Sequence, residues 1–332
     1  MRLMKRSAFA VFLLALTLAS RLPAQESTSS VSEALRAAYA RLDAAYNRRD
    51  VRGILALYAP NFVRDDSRGT QNLAQTRQRL TDDFAGTQSV TATTRIKSLM
   101  VHGSQAEATV ARRVDVVLTK PLPDLPPPYF VVEVNQEIWK ETPDGWRLTA
   151  MGATPLQSLL RGMAERDQAI RHLIIADPKN PALAARMKAV DASDRAQMKQ
   201  IIQKYGWPGY DLVGTTDAST AWLIVQHSDD DKAFQRRCLP LLQSAVRRGQ
   251  AKPSDLAYLT DRILRGEGKP QIYGTQGATN AQGIFVPPLT EDPAHVDQRR
   301  ASVGLPPLAE YLKTLQQMYH PHVKPVPPAP GK

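Results

Sequence analysis

Residues 129–155 read YFVVEVNQEIWKETPDGWRLTAMGATP. Val132, Val134, Gln136 and Ile138 alternate with Glu133, Asn135, Glu137 and Trp139, so an extended chain puts the first set on one face and the second on the other. ETPDGW then supplies a tight turn, and GWRLTAMG resumes the two-residue period, which predicts an antiparallel hairpin. Two further runs rich in Val, Thr and Ile precede it, VTATTRIKSLMVHG (90–103) and SQAEATVARRVDVVLTK (104–120). PLPDLPPP (121–128) cannot sustain a ladder and is read as a loop.

Moving toward the N-terminus, the period changes to that of helices. In VSEALRAAYARLDAAYNRRD (31–50) Leu35, Tyr39, Leu42 and Tyr46 share a face, and VRGILALYAP (51–60) predicts a second, short helix. NFVRDDSRGT (61–70) is read as a turn, and NLAQTRQRLTDDFAG (72–86) as a third helix. Three helices laid against a curved antiparallel sheet make an α+β unit over residues 25–154. The stretch ALRAAYARLDAAYNRRDVRGILALYAPNFVRDD, with EIWKETPDGWRLTAMG, resembles the NTF2-like or SnoaL-like superfamily, the cone-fold group, over residues 31–154. That resemblance implies a cone-shaped pocket, in a superfamily of both enzymes and ligand-binding modules whose members often pair through the exposed sheet. The pocket candidates are Asp65, Asp66, Arg112, Asp115, Glu133 and Asn135. An enzyme would need an inward carboxylate with a raised pKa, and Asp115, set among valines, is the leading choice. The alternative for Asp115 is an ion pair with Arg113 on a solvated face.

Beyond Pro155 the chain reads as mainly α-helical to residue 318, with helices in 156–177, 181–206, 215–228, 231–249, 252–268 and 301–319. Asp217 or Thr216 is expected to cap the third of these. Cys238, the lone cysteine, sits among apolar residues and is read as a buried small hydrophobe. Polar residues gather in five packets, YGWPGYDLVG (205–214), AWLIVQHSDDD (221–231), LTDRI (259–263), QIYGTQ (271–276) and EDPAHVDQRRASVGLPPL (291–308). Together they resemble DUF6624, a family of unknown function, over residues 183–312.

His227, Asp229, Asp231, Asp261 and Tyr273 are the candidate catalytic set. His227 is read as a structural histidine, an acid/base group oriented by Asp229 or Asp261, or a metal ligand. A divalent metal is compatible with the aspartates but no ligand set closes, and no nucleotide cofactor is expected, because P-loop and GxGxxG patterns are lacking. Trp207, Gln226, Arg262, Gln271, Thr275 and Gln276 are candidate ligand contacts, and Asp115 joins them if it faces the pocket. Arg299 and Arg300 either clamp an anion or lock an irregular segment onto the helices.

Met1–Ala24, with Arg2, Lys5 and Arg6 ahead of the apolar run Ala8–Ala19, has the form of a secretory signal. The run is too short for a permanent membrane span, and no cysteine follows it to carry a lipid. The expected location is periplasmic or secreted. Residues 319–332 form a proline-rich basic tail. The net charge of +11 attracts anions in general, and without a nucleic-acid-binding motif nucleic acid is not an expected partner. Three functions remain: an exported protein that binds a small polar or anionic ligand or another envelope protein; a hydrolase-type enzyme centred on His227 and Asp261; and a structural envelope component.

Overall fold

The computed structural model describes residues 28–66, 69–122, 127–281 and 283–319. Residues 1–24, read above as a secretory signal, and the proline-rich tail from residue 320 onward lie outside the described residues. Helix α1 (Thr28–Asn47) is followed by the short α2 (Val51–Leu55), capped by the Asp50 carboxylate accepting from the Gly53 N–H. Strands β1 (Tyr58–Asp66) and β2 (Gly69–Asn72) come next, then α3 (Leu73–Ala85), which opens with a reciprocal Asn72–Gln75 capping box. Strands β3 (Thr87–His102), β4 (Gln105–Leu118), β5 (Tyr129–Thr142) and β6 (Gly145–Gly152) complete a six-stranded sheet, in the order β2-β1-β6-β5-β4-β3. The segment 61–70, expected as a turn, is instead most of a hairpin. Its first strand runs parallel to β6, so the sheet is mixed at that edge.

One sheet face carries Ala92, Ala106, Ala108, Val110, Trp139 and Leu148 against Leu35, Tyr39, Leu42 and Tyr46 of α1, with Ile54 and Phe62 closing the core. Apolar residues on this face are removed from water by α1, which is the main driving force for the unit. The opposite face is apolar at Ala111, Val132 and Val134, and these share a second core with the helical part of the same chain.

That part begins without a linker. Two residues after β6, Thr154 caps α4 (Pro155–Ala176), which pairs with α5 (Pro181–Tyr205). Helix α6 (Tyr210–Gln226) lies on β5 and is broken at Gly214 (φ 78°, ψ 166°), a conformation that essentially only glycine adopts. A Cβ at 214 would stand 2.8 Å from the Val132 carbonyl oxygen. The break brings the backbone against the sheet, and Thr215 Oγ1 contacts both the N–H and the C=O of Val132 at 3.4 Å. The helix thus starts earlier than expected. Asp217 is no cap: it lies buried inside α6, where it accepts two bonds from Arg161 at 2.8 Å.

Helices α7 (Lys232–Arg247) and α8 (Pro253–Gly266) follow, with Cys238 buried and its thiol pushed up to about 12 by desolvation. The single terminal helix expected at 301–319 is two: α9 (Val296–Ser302) and α10 (Leu308–Tyr319), separated at Gly304 (φ 74°). Between α8 and α9 lie the two-residue strands β7 (Ala278–Thr279) and β8 (Phe285–Val286) and a single 3₁₀ turn. No described helix is long and apolar enough to cross a membrane.

Candidate functional site

The strand alternation that builds the sheet also loads the α1-facing side of β5 with Glu133, Asn135 and Glu137, opposite Arg112 of β4. Arg112 and Glu137 are 1% and 0% exposed. Such charges are tolerated in a core only when paired and hydrogen-bonded. Here the pairing is partial. The Arg112 Nε donates to Thr94 Oγ1 at 2.9 Å, and Thr94 is itself fixed to the Asp43 carboxylate through its hydroxyl (2.6 Å) and N–H (2.7 Å). On the other side, Glu137 Oε2 accepts from the Tyr39 hydroxyl at 2.8 Å and from the Trp139 indole N–H at 3.2 Å, while that indole also donates to Tyr39 at 2.9 Å.

Between these two anchored ends, Arg112 Nη2 and Glu137 Oε1 stand 3.8 Å apart, beyond hydrogen-bonding distance. Both terminal nitrogens of Arg112, Glu137 Oε1 and Asn135 Nδ2 are buried without a hydrogen-bond partner. Three donors and one carboxylate oxygen on neighbouring strands therefore remain unmatched by the protein. Tyr46 lies under Arg112, with the guanidinium 5.4 Å from its ring centre. Beside Glu133 lies an ion network, in which Arg64 meets Asp66 at 2.7 Å and Glu133 at 3.1 Å, and Arg79 also reaches Asp66 at 2.7 Å.

Burial raises the Glu137 carboxyl above its usual range, and Arg112 offsets this only in part. For Glu133 burial pushes the same way, yet Arg64, Arg112 and Arg79 together outweigh it and hold that carboxyl low. Burial likewise raises the phenols of Tyr39, Tyr46 and Tyr58. Two carboxylates four residues apart thus hold their protons differently because Glu133 has Arg64 and Arg79 beside it as well as Arg112, whereas Glu137 has Arg112 alone among these three.

Asp115 does not enter this interior. It lies on the opposite sheet face, half-exposed, with Arg113 bonded to it at 2.6 Å and stacked 4.1 Å from the Phe130 ring centre. The inward carboxylate that an enzyme reading requires is Glu137. Asp65 also points outward, exposed, and accepts from the Thr70 hydroxyl at 3.4 Å.

In the helical part, Asp229, Asp261 and Tyr273 belong to one hydrogen-bonded chain that runs from Arg262 through Gln276 to Thr275, where the Gln276 amide nitrogen donates to the Thr275 hydroxyl at 3.1 Å, whereas His227 and Asp231 are bonded to other partners. His227 Nδ1 meets Asp167 at 2.8 Å, and Arg171 links Asp167 (2.7 Å) to Asp191 (2.9 Å). Asp231 caps α7 through the Phe234 N–H and pairs with Lys199 at 2.7 Å. Asp261 is fully buried and accepts the backbone N–H groups of Ile272, Tyr273 and Thr275, plus the Thr275 hydroxyl, at 2.8–3.2 Å. Both of its oxygens are occupied in holding the QIYGTQ turn. Asp229 binds Arg262 through two nitrogens (2.9 and 2.5 Å), and Arg262 continues to Gln276 at 2.9 Å, which Gln271 in turn clasps. No hydrogen bond joins His227 to Asp261 or Tyr273 among the described residues. Arg299 is bonded to the carbonyls of Ile272, Glu291 and Asp292, and Arg300 to those of Tyr273 and Pro306, so both lock the irregular segment. Trp207 Nε1 and Gln226 Oε1 are buried and unpartnered. Among the described residues no three His, Cys, Asp or Glu side chains gather as a metal site.

Arg112, Glu133 and Asn135, expected at the pocket, do face this interior, while nothing in the local sequence marks the parts played by Tyr39, Asp43, Arg64, Thr94 and Asp167. The alternation in 129–139 already put Glu137 on the inner face. What it lacked was the partner helix that buries it.

Residues 154–324, just over half of the chain, match the model of a family of unknown function, DUF6624. Over the N-terminal part the chain is similar in structure to an NTF2-like superfamily protein from Salmonella enterica, with 18% identity, a TM-score of 0.32, 38% of this chain and 91% of that one covered. A conserved protein from Planctomyces limnophilus is similar at 12% identity and a TM-score of 0.33, over 37% of this chain and 94% of its own. No functionally curated protein is significantly similar to the chain. Helices packed on a curved sheet are what the resemblance to the NTF2-like cone implied, with the β1–β2 hairpin inserted between α2 and α3.

Proposed function

The chain belongs, through residues 154–324, to DUF6624, a family of unknown function, and from that footing we propose that its N-terminal cone is a recognition module for a small polar or anionic ligand. A single observation carries the reading: Arg112 is buried with both terminal nitrogens unpartnered, beside the free Asn135 amide nitrogen and Glu137 Oε1. Leaving several buried donors unmatched costs about 1–3 kcal/mol each, so an acceptor-rich group delivered among them gains what the protein alone forgoes. A carboxylate or similar planar acceptor suits the guanidinium. A hydroxyl beside it would have Glu137 Oε1 to donate to. The charged start of the chain supports export, and such a ligand would then be met outside the cytoplasm. The hydrolase alternative is weakened by the saturated state of Asp261, since a carboxylate with both oxygens held by backbone N–H groups has none left for a substrate or a histidine.

The test is thermal unfolding of the full chain with acetate, lactate and succinate, in wild type, Arg112→Gln and Asn135→Leu. The reading expects at least one of these acids to raise the melting temperature of the wild type, and to have little effect on either variant that folds. It fails if none of the acids acts on the wild type, or if both variants respond as the wild type does. Asn135→Leu keeps the test open should Arg112→Gln fail to fold.

A further inference from the structure

The sheet face opposite the cone interior carries a groove of its own. It encloses about 540 Å³ along the seam where β3, β4 and β5 meet the start of α6 and the α7–α8 loop. That is the size of a small-molecule site, and it sits at a junction between two units, where such sites concentrate. Its lining includes Arg95, Arg113, Arg248 and Gln250, with Asp211 as the one carboxylate.

The donors of this groove are only partly used. Arg113 spends Nε and Nη2 on Asp115, which leaves Nη1 uncommitted while the Phe130 ring fixes the plane of the guanidinium. Arg248 uses Nη1 on Ser244 at 2.6 Å. Arg95 meets Asp211 at 3.5 Å with 70% of its side chain exposed, a pair weak enough to be given up for a better partner. Gln250 is held by both ends of its polar structure: its carbonyl accepts the Tyr210 N–H at 3.0 Å and its side-chain oxygen accepts the Asp211 N–H at 2.8 Å. That bond orients the amide and leaves Nε2 free to donate. Gly209 allows this close approach, because a Cβ there would lie 2.8 Å from Gln250.

We propose that this groove is a second binding site, for a small polyanion with two or more phosphate or carboxylate groups, held by Arg95, Arg113, Arg248 and the Gln250 amide. The ligand bridges the two units, with Arg95 and Arg113 supplied by the sheet and Arg248 and Gln250 by the helical part. The site is independent of the cone interior, which lies on the other face of the sheet.

Calorimetric titration of the full chain at low ionic strength with inorganic pyrophosphate and, separately, citrate tests this. The expected result is saturable binding of one anion per chain by at least one probe, with the preferred probe identifying phosphate or carboxylate as the recognised group. Arg248→Gln and Arg95→Gln are each expected to weaken it about tenfold, as loss of a charge-assisted bond does. Arg52→Gln, the same charge change at an exposed position of α2, and Asn135→Leu in the cone are expected to leave it unchanged. Absence of saturable binding to either probe overturns the proposal, as does retained affinity in both groove variants, or equal weakening by Arg52→Gln, which would mean nonspecific attraction to a basic surface. Loss through Asn135→Leu alone would move the anion to the cone and likewise sink the groove.

Discussion

Asp255 shows how much one side chain can be disfavoured by its place. It opens α8, is 8% exposed, and has only a long contact from the Ser219 hydroxyl at 3.4 Å. Burial raises its carboxyl from 3.8 to about 6, and Lys252 offsets little of this. A raised carboxyl binds its proton more tightly in the folded than in the unfolded state, so the penalty is absent below the unfolded value and complete above pH 6. Asp255→Asn is therefore expected to stabilise the fold by roughly 1–3 kcal/mol at pH 8 and by almost nothing at pH 3.5, which urea unfolding at the two pH values would measure. Asp261 is the opposite case, with every oxygen used. Asp261→Asn puts an NH₂ group against backbone N–H donors, and a loss of about 2–4 kcal/mol is expected, together with faster amide exchange at Ile272 and Thr275. At this scale the sequence was legible wherever the determinant was local. The Arg113–Asp115 pair followed from spacing. Glu137 and Asp261 owe their character to burial by distant elements, to which local spacing is blind.

Elements followed the same division. The periods of 2 and 3.6 located β3 to β6 and α1 to α5 closely, because each has one apolar face and one polar face. Strands β1 and β2 escaped for a physical reason. The buried side of β1 carries Phe62 and then Arg64, which is bonded to Asp66 and Glu133, so the alternation breaks into charge after a single apolar residue. Helix α6 was read too short because Gly214 punctuates it like a terminus, although the structure resumes the helix beyond the break. Gly214→Ala is expected to cost about 3 kcal/mol or more, combining the forbidden backbone region with contact against the Val132 carbonyl. The measurement is chemical unfolding, and a change under about 1 kcal/mol would show that α6 can slide on β5.

At the scale of the molecule, the sheet is a shared wall. Its inner face belongs to the cone, while Ala111, Val132 and Val134 on the outer face belong to the core of the helices. The resemblance to cone-fold proteins raised pairing through the exposed sheet, but here the chain's own α6 covers those residues. Unfolding should accordingly be one cooperative event, even though the sequence reads as two domains. The four tryptophans divide evenly, Trp139 and Trp146 in the cone and Trp207 and Trp222 among the helices. Replacing either pair with phenylalanine leaves a reporter of one unit alone, and the two reporters are expected to give coincident urea midpoints. Separated midpoints would mean that the seam is weak and each unit stands by itself.

The break at Gly214 also bears on inheritance. A helical unit of this family fused to a different partner, or to none, has no strand against residue 214 and no need to interrupt its helix there. An ordinary helix-forming residue at that position would then mark a unit that travels without a cone, and glycine one whose evolution has been tied to a sheet.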